Sequence, residues 1–139
     1  MKSPSSKPSP SSAQSTDLQN SLSESDIQIQ VVEYVSLLSA QCRFMFFSCA
    51  NEAMGQAKTG AGLGRMARLK KMGLRSGVAD LVFIKDGLVY FLEMKRPGGK
   101  WSVAQQLFAG DCYLVGARYA IAYSFDEAVK ILKEWGLTP

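Results

Sequence analysis

Two acids, Asp80 and Glu93, sit on two apolar runs, 78–85 and 88–95, that are separated only by Asp86-Gly87. Asp-Gly between such runs favours a two-residue type I′ hairpin. With those two residues as the loop, Lys85 faces Leu88, Phe83 faces Tyr90, and Asp80 faces Glu93. Directly opposed residues have Cβ atoms about 4.5–5.5 Å apart, and like charges there are destabilising. Lys95, two residues beyond Glu93, points to the same face. That face is otherwise apolar (Val82, Ile84, Val89, Phe91), as is the other (Leu81, Phe83, Leu92), so both are expected to be covered. Two opposed carboxylates in such surroundings need a cation. Lys95 supplies one charge, and a hard divalent ion such as Mg²⁺, which prefers carboxylate, carbonyl and water oxygens, balances the rest. Singly, each residue has an ordinary explanation: an Asp opening a strand, a Glu–Lys pair on an edge. Their convergence on one spot of a buried hairpin is what points to chemistry.

The composition narrows that chemistry. The 139 residues include no His, which excludes a Ser-His-Asp triad, a Cys-His pair and an imidazole base. Three cysteines, Cys42, Cys49 and Cys112, are odd in number and widely spaced, so neither a disulfide framework nor a CxxC zinc site is expected. A net charge of +4 is mildly favourable toward polyanions. No apolar run approaches the ~20 residues of a membrane span. Lys2 is followed by Ser and Pro rather than by an apolar signal core. The expectation is a cytoplasmic protein without membrane association.

The elements that must position these groups can be read along the chain. Residues 1–22, with eight Ser and three Pro, read as a disordered tail, and 23–139 as one folded domain. Ser23 with Asp26, or Ser25 with Gln28, matches a capping box, and Ile27, Val31, Tyr34, Val35 and Leu38 predict a helix over 25–39. Residues 43–48 predict a strand. Residues 54–76 contain six bases (Lys58, Arg65, Arg68, Lys70, Lys71, Arg75) and no acid, and read as a long, flexible, basic connection. With Lys100, these bases are candidates for phosphate contacts, and Gly60, Gly62 and Gly64 for close approach of backbone amides. After the hairpin, Ser102 caps a helix to about Val115, 119–123 is a strand, and 126–135 a closing helix that Gly136 stops. The expected order is α-β-β-β-α-β-α, an α/β fold with a central mixed sheet flanked by helices.

Taken in order, Gly77-Val78-Ala79-Asp80-Leu81, then Phe91-Leu92-Glu93-Met94-Lys95, then Gly98-Gly99-Lys100-Trp101-Ser102-Val103-Ala104-Gln105 resemble the virus-type replication-repair nuclease (VRR-NUC) family of the PD-(D/E)XK nuclease superfamily. Glu24 with Gln28 matches the acid and Gln that open that family's first helix. One departure is Ala79, where many members have Pro; it removes no ligand. The resemblance implies a restriction-endonuclease-like core in which Asp80, Glu93, the Met94 carbonyl and Glu24 hold Mg²⁺ (or Mn²⁺). It implies that Lys95 orients water and stabilises phosphate charge, and that Gln105 positions the water or a neighbouring group. The reaction it implies is metal-assisted phosphodiester hydrolysis, which requires no His. By the same resemblance a stand-alone chain is a homodimer that cuts branched DNA such as four-way junctions. The alternatives are a non-catalytic DNA-binding module, or the nuclease subunit of a restriction or repair complex.

Overall fold

The computed structural model describes residues 22–49 and 60–139. Leu22 already packs against the core; the rest of the expected tail lies outside the described residues, as does Lys58. Helix α1 (Glu24–Cys42) starts at the Ser23–Asp26 capping box rather than the Ser25–Gln28 alternative. The Ser23 hydroxyl accepts the Asp26 N–H at 3.1 Å, and the Asp26 carboxylate accepts the Ser23 N–H at 3.0 Å. Ile27, Val31 and Val35, four residues apart, form its buried stripe. Arg43, at φ 58°, turns the chain out of the helix into β1 (Met45–Ser48).

Where a flexible connection is expected within 54–76, the chain forms a second helix, α2 (Gly60–Lys71). Gly62, Met66 and Leu69, at i, i+4 and i+7, are its half-buried positions, and no residue of it is fully buried. Three glycines disfavour a helix by about 1 kcal/mol each relative to Ala, which weights the sequence toward a loop without forbidding the helix. Past the first turn its amides are committed to the helix's own ladder, so the Gly64 amide is not offered to phosphates as expected.

The hairpin has the register expected: β2 (Leu81–Lys85) pairs with β3 (Leu88–Met94) from Lys85↔Leu88 to Leu81↔Leu92. Asp86 and Gly87 take φ 51° and 77°, the two positive values that a type I′ loop demands. Helix α3 (Val103–Leu114) then crosses over to β4 (Arg118–Ala122), which pairs parallel with β3, and α4 (Phe125–Glu134) closes the chain. The sheet order is β1-β2-β3-β4, with β1 antiparallel to β2. A mixed sheet in an α/β arrangement is thus as expected, with α2 as the additional element among the described residues.

Alternation along β2 and β3 sorts their side chains onto the two faces. Leu81, Phe83, Tyr90 and Leu92 join Ile27, Val31 and Val35 of α1 and Ala128 and Leu132 of α4 in the main core. On the opposite face Phe91 meets the ring of Phe108 from α3 at 4.9 Å, and Tyr119 of β4 lies 6.0 Å from Phe108. Asp80 and Glu93 belong to this second face.

Candidate active site

Asp80 immediately precedes β2, and extending the register one step past Leu81↔Leu92 sets it opposite Glu93. Its Oδ2 accepts the Met94 N–H at 2.8 Å, so the carboxylate takes the place of a ladder carbonyl where the hairpin splays apart. A strand residue's N–H and C=O leave by the same edge, so the Met94 carbonyl is directed to the Asp80 side as well. Glu93 is only 4% exposed. Its Oε1 accepts from the Lys95 ammonium at 3.2 Å and from the Gln105 amide. Its Oε2 is buried with no hydrogen-bond partner. Burial, then the charge of Asp80, pushes the Glu93 carboxyl up to about 7 against the pull of Lys95, and Glu24 adds to the rise.

Glu24 reaches this end of the sheet from the first turn of α1. The macrodipole favours an acid there in any case, but its Oε1 also accepts the Arg96 N–H at 3.3 Å, just past β3. Among the described residues no group of three or more acidic or thiol side chains is placed to hold a metal ion, while Glu24 stands near enough to add to the negative field at Glu93. Two carboxylates suffice for Mg²⁺, which keeps several waters and takes further oxygens from a substrate phosphate. An unpaired, buried carboxylate oxygen beside a second carboxylate fits such an ion. Asp80, Glu93 and the Met94 carbonyl are the residues that would hold it.

Gln105 does more than its sequence position suggests. As the third residue of α3, its Oε1 accepts the Ser102 N–H at 2.9 Å while its Nε2 donates to Glu93. The capping box therefore fixes the rotamer of a site carboxylate. Gly77 permits this arrangement: it has φ +83°, and a Cβ there would lie 2.2 Å from the Ala104 carbonyl oxygen. Tyr119 was not legible as a site residue. Its hydroxyl is buried without a partner, and burial followed by the charges of Glu93 and Asp80 raises its phenol above the ordinary value. Only the β3–β4 register, Phe91↔Tyr119, brings it near, and no local signal reports that pairing.

The basic candidates divide. Arg65, Arg68, Lys70 and Lys71 are exposed along α2, and Lys100 is exposed beside the Gly98-Gly99 turn. Arg75 is engaged in the fold: its guanidinium pairs with Asp111 and lies 5.0 Å over the Phe108 ring, which ties the segment before β2 to α3. No helix among the described residues is long and apolar enough to cross a membrane. Comparison with protein-family models, curated proteins and solved structures returned no match.

The strained charge at Glu93 sets an expected pH dependence. A carboxyl whose folded value lies near 7 and whose ordinary value is 4.5 favours the fold fully below about pH 4.5, and that contribution is lost as pH rises through 7. The loss is on the order of 3 kcal/mol. The Asp26 carboxyl is lowered instead, so its contribution is lost only at more acidic pH. In metal-free buffer the melting temperature of the wild type should fall between pH 5 and 8, and Glu93→Gln should flatten that fall. Parallel profiles for the two proteins would contradict the assignment.

Proposed function

We propose that the chain is a metal-dependent DNA endonuclease of the VRR-NUC type, with a restriction-endonuclease-like core, that hydrolyses phosphodiester bonds in branched DNA such as four-way junctions. The observation that carries this reading is the buried Glu93, opposite Asp80, with Lys95 and Gln105 on one oxygen and nothing on the other. A bound Mg²⁺ or Mn²⁺ would supply the Lewis acid that activates water and polarises the phosphate. The chain's own groups divide the remaining work. Asp80, Glu93 and the Met94 carbonyl provide the oxygens, and Glu24 deepens the negative field that draws a cation in. Gln105 holds Glu93 in one rotamer. Lys95, already desolvated beside Glu93, orients the attacking water and stabilises charge developing on the phosphate. The exposed bases of α2 and Lys100 contact phosphates, which supplies affinity without base readout. A homodimer acting in the cytoplasm would place two such sites about a two-fold axis, suited to cutting two strands of a branch.

Calorimetric titration with Mn²⁺ tests the site. The wild type should bind the ion with release of heat or protons, more tightly at pH 8 than at pH 6, and Asp80→Asn should abolish the binding. Indistinguishable titrations for the two proteins would favour a DNA-binding module without catalysis.

A further inference from the structure

Beside Tyr119, a cleft of about 570 Å³ is lined by residues that include Trp101, Tyr113, Arg118, Tyr119 and Trp135. Both tryptophans of the chain line this one cleft. Trp101 is 40% exposed and Tyr113 83% exposed, large aromatic surfaces that a fold ordinarily covers. Among the described residues Arg118 is the only charged side chain in the lining and no carboxylate belongs to it, and Lys100 adjoins Trp101 in sequence. An aromatic and cationic lining without acids is selective by sign: it repels no anion and offers ring faces to a planar guest.

The cleft is linked to the candidate active site through Trp101 and Tyr119. Trp101 follows Lys95 by six residues through the Gly98-Gly99 turn and directly precedes Ser102, the cap of the helix whose Gln105 holds Glu93. Its ring centroid lies 5.7 Å from that of Tyr119, which in turn contacts Phe108. Tyr119 thus lines the cleft and packs its ring against Trp101, with its unpartnered hydroxyl buried.

We propose that this cleft is a stacking subsite for an unpaired nucleobase of the DNA strand whose phosphate enters the carboxylate site. The inference rests on the nuclease reading and gives it a substrate class: DNA with unstacked bases beside the scissile bond, as at the branch point of a junction or flap. Trp101 supplies the exposed stacking face, Tyr113 the rim, and Arg118 and Lys100 neutralise the backbone phosphates of the splayed strand. In a continuous duplex the bases stay stacked on one another, so such DNA engages the bases of α2 and Lys100 but leaves the aromatic rings empty.

The test is a binding measurement in EDTA, which suppresses cutting. A short single-stranded oligonucleotide and the matching duplex are titrated separately while tryptophan emission is followed. The single strand should quench the emission and the duplex should leave it nearly unchanged. Trp101→Ala should weaken single-strand binding by roughly 5- to 100-fold, the range for losing one base–aromatic stack, with duplex affinity retained. Tyr113→Ala, at a position exposed enough to leave the fold intact, should weaken it in the same direction. Equal affinity of Trp101→Ala and wild type for the single strand, or an equal loss for both DNA forms, would overturn the subsite. A parallel incubation with Mg²⁺ separates the two readings. Cutting by a protein whose binding ignores Trp101 overturns the subsite alone, whereas Trp101-dependent binding without cutting by any preparation overturns the nuclease reading and leaves the stacking cleft standing.

Discussion

Lys95→Ala is expected to lower metal-dependent DNA cleavage by about 10³-fold, the scale for removing one preorganised donor from developing phosphate charge. The variant should still fold. Lys95 and Glu93 form a nearly buried pair, with side chains 14% and 6% exposed, and removing one partner of such a pair ordinarily leaves a costly unpaired charge. Here Glu93 has an escape: its carboxyl already lies near 7, so loss of the lysine raises it further and the group takes up a proton. The activity loss and the stability loss therefore separate. A melting temperature at pH 6 close to wild type, with cleavage gone, is the expected combination, and DNA affinity should be retained. Lys95→Arg should not restore activity, because the guanidinium fork differs in shape and donor geometry from an ammonium point charge. Wild-type cutting rates in Lys95→Ala would remove the lysine from the mechanism.

The largest expected effect on the fold comes from a residue that bears no side chain. Gly77→Ala places a methyl 2.2 Å from the Ala104 carbonyl oxygen, a backbone atom that cannot swing aside, at a φ of +83°. The left-handed conformation alone costs roughly 1–2 kcal/mol. Moving the first turn of α3 to relieve the contact would also break the Gln105 bridge between Ser102 and Glu93. A loss of at least ~3 kcal/mol, read as a melting temperature lower by about 10 °C, is expected together with at least ~10²-fold lower cleavage. Gly116→Ala is the control. It shares the positive φ of 78° but has no atom within 4 Å of a built Cβ, so only the conformational strain remains. Equal destabilisation of the two variants would mean that close packing against α3 is unimportant.

These expectations show where the sequence is informative. The hairpin was legible because Asp86-Gly87 sets the loop length, and loop length sets register; every pair down to Leu81↔Leu92 follows from that one dipeptide. The same arithmetic brings Asp80 to Glu93 and puts Lys95 on the same side. The cap at Ser102 was legible for a similar reason, and that at Ser23 as one of two alternatives, since their bonds are made within three residues. What escaped depends on contacts distant in sequence. Gln105 is named by the resemblance, but its bond to Glu93 exists only once the hairpin is seated beneath α3. Tyr119 joins the site only through the parallel pairing of β4 with β3, which the chain between them does not encode locally. Arg75 counts as one more base in an acid-free stretch until Asp111 and Phe108 claim it. Helix α2 was hidden by its own glycines, whose low helix propensity outweighs the spacing of Gly62, Met66 and Leu69 on a short window.

The nuclease reading is tested most directly by incubating the purified chain with end-labelled four-way junctions, flaps, splayed arms and matched linear duplex, with Mg²⁺, with Mn²⁺ and with EDTA. Cuts are expected near the branch in the two metal arms, none in EDTA, little on the linear duplex, and none by Asp80→Asn in any arm. Branched DNA left intact by the wild type in both metals across the full range of protein concentration, or cut equally well by Asp80→Asn, would contradict it.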